Sequence, residues 1–229
     1  MVAPSLSDYT GLITAYHRIR PKFVATVEAS VSPLVDLTQF VAALPAAFDL
    51  DAAVGVQLDI VGEWAGLSRY ITVPLTTPWF SFGVSGRGFG EGIWKGPLSP
   101  TTGRSPLDDE TYRNLLRAKI AANAWDGTVE TAGGILSGFF GDYGIDVFVE
   151  DRQDMHLNFV VPGATPSIIM LSIMAGRYIP VKPAGVGTRY VLASVSGAPV
   201  FGFGLNNSVI GGFGSGAWGV PPEYLLGIT

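Results

Sequence analysis

The sequence contains no cysteine and only two histidines, His17 and His156. Without thiols it can form neither disulfide bonds nor thiolate metal sites, so packing or assembly has to stabilise the fold. Two histidines far apart in a chain without cysteine show neither a catalytic triad nor a metal centre. We therefore predict no catalytic residue, no metal ligand and no cofactor, and an enzymatic function has no supporting constellation.

Charged residues are also scarce. They make up 14% of the chain, whereas hydrophobic residues make up 48%, and a typical soluble domain is about a quarter charged. The net charge of −5 and the pI near 4.9 argue against a general nucleic-acid binder, which needs Lys and Arg to neutralise phosphates. We interpret the low charge as surface that neighbouring subunits cover, because obligate interfaces resemble a domain core cut in half.

Long apolar runs are missing as well. No uninterrupted run approaches the ~18–20 residues that span a bilayer, and the apolar run at 167–175 is short. The first residues lack the basic segment and the apolar stretch of a secretion signal. We expect no membrane span, and we expect synthesis in the cytoplasm.

The N-terminal region, residues 1–69, has helical patterning. We predict a helix over 9–20 that Pro21 interrupts, a second from Lys22, and a third that begins at Ser32-Pro33. The stretch 49–69 predicts an amphipathic helix capped by Asp49 or Asp51 and ended by Gly66. We expect this region to pack as a bundle or against another chain, and the candidate interface residues of its last helix are Val54, Leu58, Val61 and Trp64.

The most informative feature besides the helices is an internal repeat rich in glycine and aromatic residues. The sequence FSFG at 80–83 matches FGFG at 201–204, and GFGEGIW at 88–94 matches GFGSGAW at 212–218. We predict two β-hairpin-like segments, 70–105 and 194–229, that pack together or form equivalent contacts with neighbouring subunits. Their candidate interface anchors are Phe82, Phe89, Trp94, Phe203, Phe213 and Trp218.

The glycines at 86–92 superficially suggest a phosphate-binding loop. The Lys-Ser/Thr ending of a nucleotide loop is missing there, and so is the spacing of the dinucleotide fingerprint. We therefore predict no nucleotide binding.

Between the two repeats, residues 106–193 show the pattern of a separate α+β domain. Two helices are predicted at 107–125 and after Gly127-Thr128, followed by a β-hairpin from Ile145 to Val161, a helix from Thr165 and a strand at 186–192. The order helix-helix-strand-strand-helix-strand predicts a small layer with a three-stranded sheet. The fold class of the whole chain is therefore predicted as α+β.

Two stretches resemble a known family. GVQLDIVGEWAGLSR at 55–69 and DDETYRNLLRAKI at 108–120 resemble a family of tail proteins from contractile-tailed phages, which is similar in turn to the baseplate wedge proteins of the Mu and P2 type. The resemblance covers most of 9–190. It implies a structural subunit of the virion, located in a baseplate wedge, that takes part in tail assembly and contraction through protein contacts. The implied partners are the larger wedge subunits and, beyond them, hub, sheath or fibre proteins.

A second hypothesis stays open for the aromatic residues. They are also typical of a carbohydrate-binding or cell-wall-degrading tail module, in which Trp and Phe rings serve as platforms for sugars. The two hypotheses differ in whether protein or glycan covers the rings.

Overall fold

The computed structural model forms two compact units, residues 1–61 and 62–229. Helices and strands are mixed along the chain, which confirms the predicted α+β class. Part of the glycine loop at 86–92 lies outside the described residues. The residues that the structure describes are 4–75, 79–80, 82–83, 88–97, 99–100 and 102–227.

The first unit contains the helices α1 (Leu6–Thr10), α2 (Ala15–Arg18) and α3 (Pro21–Ala47). The prediction of one helix over 9–20 is wrong, because α1 ends at a turn that begins with Gly11. The Arg18 guanidinium donates hydrogen bonds to the carbonyls of Gly11 at 3.0 Å and Ile13 at 2.8 Å. These bonds hold the turn and separate the two short helices.

The predicted break at Ser32-Pro33 does not occur, and α3 runs on to Ala47 with Pro33 inside it. Proline has no N–H, so the carbonyl of Ala29, four residues earlier, loses its helical donor. Ala29 lies on an exposed part of the helix, where water can donate a hydrogen bond to that carbonyl instead. The proline is therefore tolerated within the helix.

Little of α3 is buried within the chain. Val35 is the only one of its 27 residues that is buried, and all of them are described. The most apolar window of α3 has a mean hydropathy of 1.2, so by length and composition alone the helix could cross a membrane. That observation is weak by itself, because signal sequences and core helices share it. Its exposed large apolar residues include Leu34, Leu37, Phe40 and Val41.

The helix predicted at 49–69 is shorter than expected, since α4 spans Val56–Ala65. Asp49 accepts a hydrogen bond from the N–H of Asp51 in a preceding turn and does not cap the helix. Gly66, with φ of +78°, ends α4 as predicted. The N–H of Leu67 then donates to the carbonyl of Gly62 at 2.9 Å. This bond satisfies a carbonyl in the last turn of α4, and it depends on the positive φ that glycine adopts readily at position 66.

The central part of the second unit follows the predicted order. The N–H of Thr111 bonds to Asp108, which caps α5, and Thr128 caps α6 in the same way through Thr131. The start of α6 at Thr128 agrees with the sequence analysis, whereas the sequence analysis did not identify Asp108 as a cap. The elements are the antiparallel pair β1 (Tyr70–Pro74) and β2 (Thr102–Pro106), then α5 (Asp109–Asn123), α6 (Val129–Gly141), β3 (Phe148–Asp151), β4 (His156–Val161), α7 (Ile168–Ala175) and β5 (Gly187–Ala193).

The C-terminal part adds short elements to this layer. They are β6 (Val200–Phe201), β7 (Ile210–Gly211), β8 (Gly219–Val220) and α8 (Pro222–Leu226). The described strands of the main sheet follow the order β3-β4-β5-β8, so the predicted three-stranded sheet gains a fourth strand. Strands β4 and β5 are parallel, with α7 in the connection between them.

The core of the second unit lies where helices α5 and α6 and the sheet contribute large side chains. Tyr112, Leu116, Phe140 and Phe159 are all essentially inaccessible to solvent. Such burial of aromatic and aliphatic side chains is the main favourable term in folding. The unit therefore has an apolar core of its own, to which the two glycine-aromatic segments add Ile71, Val200 and Ala217.

Candidate interaction surface

The repeat found in the sequence forms two matching groups of aromatic rings. The first ring cluster consists of Phe80, Phe82, Phe89 and Trp94, and the second ring cluster consists of Phe201, Phe203, Phe213 and Trp218. Both lie in the second unit, the first between β1 and β2 and the second between β5 and β8.

In the first ring cluster, Phe80 is the central ring. It stacks on Trp94 with centroids 4.4 Å apart and planes at 23°. Phe82 meets it edge-on at 4.9 Å and 81°, and Phe89 at 4.8 Å and 60°. Phe82 and Phe89 also contact each other at 5.8 Å. Every ring therefore has an aromatic neighbour within the favourable range of separations.

The second ring cluster repeats this arrangement around Phe201. Phe201 lies 4.7 Å from Trp218 at 39°, 5.0 Å from Phe203 at 82° and 5.0 Å from Phe213 at 68°. Phe203 and Phe213 are 5.7 Å apart. Corresponding centroid distances in the two clusters agree to within about 0.3 Å, the largest difference being 4.7 Å against 4.4 Å for the stacked pair. The sequence repeat is thus a structural repeat.

The backbone matches as well. After the second phenylalanine, Gly83 and Gly204 have φ of +75° and +72°, and in the second turn Gly90 and Gly214 have φ of +83° and +86°. This left-handed region strongly favours glycine, because a Cβ atom would crowd the following carbonyl. The glycines of the repeat therefore fix two turns that bring the separated rings together.

Matching hydrogen bonds close these turns. The N–H of Gly92 donates to the carbonyl of Gly88 at 2.9 Å, and that of Gly216 to Gly212 at 2.9 Å. The backbone bridges at the base of each cluster are parallel in both copies, and β6 and β7 also pair in parallel. Within the ring clusters the pairing is therefore not that of a β-hairpin, whereas β1 and β2 at the two ends of the first segment pair antiparallel as a hairpin does. Among the described residues, every ring contact of a cluster is internal to it.

The outer rings of both clusters face solvent. The exposed fractions are 78% for Phe82, 76% for Phe89, 70% for Trp94, 78% for Phe203, 80% for Phe213 and 68% for Trp218. Isolated exposed apolar residues are common on proteins, whereas contiguous apolar patches mark interaction sites. Three exposed rings held together in each cluster form such a patch.

The second ring cluster stands on the main sheet. Val200 and Ala217 at its base are buried with Val160 and Ala193 of the sheet. The N–H of Ser194 donates to the carbonyl of Trp218 at 2.9 Å, so the last ring of the cluster follows the edge of β5. A groove of about 430 Å³ adjoins this cluster and includes Phe203, Trp218 and, from the sheet, Glu150.

The helical candidates at 54–64 are divided by the fold. Val54 and Trp64 are exposed by 59% and 74%. Leu58 and Val61 are buried within the chain, at 0% and 8% exposure, and have no side-chain surface left for a neighbouring subunit. The helical period predicts one face for Val54, Leu58 and Val61 with Trp64 beside it, but α4 begins only at Val56, and its buried residues include Leu58 and Val61.

The histidines have structural surroundings. The ring of His17 stacks on Phe23 at 4.6 Å. His156 lies at the surface, 3.4 Å from Asp154. In the described ranges, no group of three or more His, Asp or Glu side chains could hold a metal ion.

The two stretches that carry the family resemblance meet in the core of the second unit. The hydroxyl of Tyr112, in the second stretch, donates to the carbonyl of Leu67, in the first, at 2.7 Å. Arg69 lies over the Tyr112 ring at 4.8 Å and pairs with Asp109 at 2.5 Å. A Cβ atom on Gly62 would lie 1.7 Å from the Tyr112 hydroxyl, so only glycine fits there. These motifs are a structural junction, and sequence reasoning had not predicted that they touch.

Comparison with known proteins agrees with this structural reading. The family model described as bacteriophage baseplate wedge 1 protein matches residues 9–190, which include the junction and the first ring cluster but end before the second. A comparison with curated proteins found no match. Because the match extends over most of the sequence, the chain belongs to the bacteriophage baseplate wedge 1 protein family.

Proposed function

We propose that this chain is a structural subunit of the baseplate wedge in a contractile phage tail, where it acts through protein contacts during tail assembly and contraction. Family membership supports a wedge-type protein of the virion tail. The observation that carries the proposal is the pair of ring clusters, each with three outer rings at least 68% exposed. Buried aromatic residues commonly dominate the energetics of an interface, so partners that cover these rings would gain much of their affinity there.

The proposed partners are the larger wedge subunits, with hub, sheath or fibre proteins as further neighbours. The first unit offers a second contact surface, because α3 leaves Leu34, Leu37 and Phe40 more than half exposed. A helix with such an apolar surface is stabilised by packing against other helices. We assign α3 to a bundle between subunits, together with exposed Val54 and Trp64.

In mechanism, the chain would transmit orientation without performing chemistry. Contraction moves packed subunits as rigid bodies, and interfaces of that kind repack between discrete arrangements. The rings of each cluster already contact one another, so little side-chain order has to be gained when a partner binds. Such preformed contact sites suit a subunit that holds its neighbours in a fixed geometry.

The alternative function is a carbohydrate-binding tail module, which the exposed rings also support. Sugar recognition needs polar side chains that hydrogen-bond hydroxyl groups beside the rings. The second ring cluster lies in a segment without Asp, Glu, Lys or Arg from residue 190 to residue 222. The polar residues available near these rings are the Ser and Asn residues of the segment and Glu150 at the adjoining groove, and glycan binding is the competing outcome of the experiment below.

The testing experiment is coexpression with the other tail proteins of the same phage, followed by chromatography and light scattering. We expect a defined complex with a baseplate protein that a double variant, Trp94→Ala with Trp218→Ala, no longer forms. Tyr224→Ala is the matched control, because Tyr224 is also an aromatic residue with 58% exposure but lies outside both clusters.

Three results would contradict the proposal. One is a monomer that ignores every baseplate protein, and the second is a double variant that assembles as the wild type does. The third is binding of the isolated chain to cell-wall glycans through the same tryptophans, which would favour the carbohydrate-binding module.

A further inference from the structure

We infer that the chain is bivalent: its two ring clusters bind two copies of the same element of a neighbouring baseplate protein. The inference rests on the proposed function, and it adds the stoichiometry and the chemistry of the partner. It starts from the observation that one chain carries the same exposed surface twice.

The equivalence extends to the arrangement and the exposure of the rings. The three outer rings of each cluster surround a half-buried central ring at matching distances; the first phenylalanine of each meets the central ring edge-on, and the tryptophan lies over it at 23° in the first cluster and 39° in the second. Corresponding rings are exposed to nearly the same extent, for example 78% for both Phe82 and Phe203. A surface that binds one cluster by shape therefore fits the other.

A shared backbone keeps the two surfaces alike. The N–H of Phe80 donates to the carbonyl of Ile93 at 2.9 Å, and the N–H of Phe201 to that of Ala217 at 2.7 Å. These bonds join the two parts of each repeat although the spacer is four residues long in the first copy and seven in the second. The longer spacer thus leaves the ring arrangement unchanged, which indicates that the arrangement itself is the shared feature.

Charge indicates what covers the rings. In the chain segment of the second ring cluster no charged residue lies between Arg189 and Glu223, and Glu150 of the adjoining groove accepts a hydrogen bond from the Asn158 amide at 2.7 Å. An uncharged apolar surface is matched by an uncharged partner surface, since an unpaired charge buried against it would be destabilising. In the first ring cluster, exposed Glu91 takes the place of Ser215, and Lys95 follows the last ring. We therefore assign an uncharged apolar segment as the occupant of both clusters, with salt affecting the first more than the second.

The experiment uses the full-length chain and the baseplate protein that coexpression identifies, with native mass spectrometry to count subunits. We expect one chain to bind two copies of the partner. Trp94→Ala and Trp218→Ala should each leave one copy bound, because each removes a central contact of one cluster and lowers the affinity of that cluster for the partner at least about tenfold. The double variant should bind none, and Tyr224→Ala should still bind two.

A second pair of variants guards against misfolding. Phe89→Ala and Phe213→Ala remove an exposed outer ring and leave the stacked Phe–Trp pair in place, so each should also reduce the count from two to one. Circular dichroism and thermal unfolding check that every variant is folded.

The outcomes separate the two proposals. A complex with one partner copy per wild-type chain, or one that either single variant abolishes completely, would overturn bivalency and leave the baseplate function intact. Single variants that still bind two copies would also overturn it. If no baseplate protein binds at all, the proposed function fails and bivalency fails with it.

Discussion

The two ring clusters present matching aromatic surfaces on different bases. The first extends from the antiparallel pair β1 and β2, whose start is held to α5 by the junction of Tyr112 and Arg69. The second stands on the main sheet, where Val200 and Ala217 are buried and β8 pairs with β5. Local sequence therefore determines the arrangement of the rings, whereas the base depends on which part of the fold is nearby.

This difference means that the two clusters can be damaged separately. The close approaches beneath the second cluster involve Gly216 and Gly219, where a Cβ atom would lie 2.3 Å from the Gly211 carbonyl oxygen and 2.4 Å from Val191. On the side of the first cluster, a close approach lies at the junction that precedes β1, where a Cβ atom on Gly62 would lie 1.7 Å from the Tyr112 hydroxyl. Variants at these glycines test whether the bases are independent.

The largest effect is expected from Gly62→Ala, which acts on the junction between the segment before β1 and α5. The new methyl group would overlap the buried Tyr112 hydroxyl and displace it from the Leu67 carbonyl. We expect the free energy of unfolding to fall by about 3 kcal/mol, because overpacking and a lost buried hydrogen bond add. Chemical denaturation measures the loss, and native-state hydrogen exchange should show β1 losing more protection than β8.

Gly134→Ala is the control for this change. Gly134 lies inside α6 with open space around its Cβ position, so alanine should stabilise the helix by roughly 0.5–1 kcal/mol. Equal effects of the two substitutions would contradict the assignment of Gly62 as a packing requirement.

The next effect is expected from Gly216→Ala, which breaks the base of the second cluster. Its methyl group would meet backbone atoms of Gly211 and Phe201, so the chain itself has to move. We expect a loss of about 2 kcal/mol and a weaker near-ultraviolet circular dichroism signal from the rings. Gly212→Ala and its counterpart Gly88→Ala place the methyl group in open space, so they should leave the stability and the circular dichroism signal nearly unchanged. A loss of stability at Gly212 as large as that at Gly216 would contradict the role of Gly216 as a close approach.

A smaller effect sharpens the equivalence of the clusters. Gly83→Ala and Gly204→Ala each place a Cβ atom on a residue in the left-handed region, with no neighbouring atom within 4 Å. Backbone strain alone then acts, and each substitution should cost about 1 kcal/mol. Thermal unfolding compares them, and costs that differ severalfold would show that the two turns are not equivalent.

The smallest effect concerns the helix next to the first cluster. The N–H of Thr111 bonds to Asp108 at 2.9 Å and lowers the pKa of that carboxyl below its usual value of 3.8. A lowered pKa means that the carboxylate stabilises the fold above the unfolded-state pKa and that this stability is lost as the pH falls through the folded-state pKa.

Asp108→Ala should therefore reduce the stability by about 1 kcal/mol at pH 7. The difference from wild type should shrink below about pH 4 as Asp108 becomes protonated in the wild type. Denaturation curves of the wild type and the variant at pH 7 and below about pH 4 provide the check. A difference in the free energy of unfolding that grows in acid would contradict this role for Asp108.

Several parts of the structure could be predicted because their signals are local. The cap at Thr128, the helix end at Gly66 and the order of elements in the central layer follow from short-range patterns, and all are present. Predictions failed where environment outweighed propensity. Pro33 is accepted inside α3 because the carbonyl it leaves unpaired lies at the surface, and Leu58 and Val61 are buried although their face was assigned to a partner.

The sequence by itself determined the repeat, because glycines stand at the matching positions where the turns need a positive φ, and the same aromatic residues flank them in both copies. It also determined the scarcity of charge and hence the apolar character of the exposed surface. Only the tertiary structure decided that the two family stretches meet at Gly62 and Tyr112 and that a fourth strand supports the second ring cluster. It also decided that the backbone bridges within each ring cluster are parallel. Each of these features depends on contacts between residues far apart in the chain. Packing between distant segments decides which of those residues meet, and local conformational preferences do not.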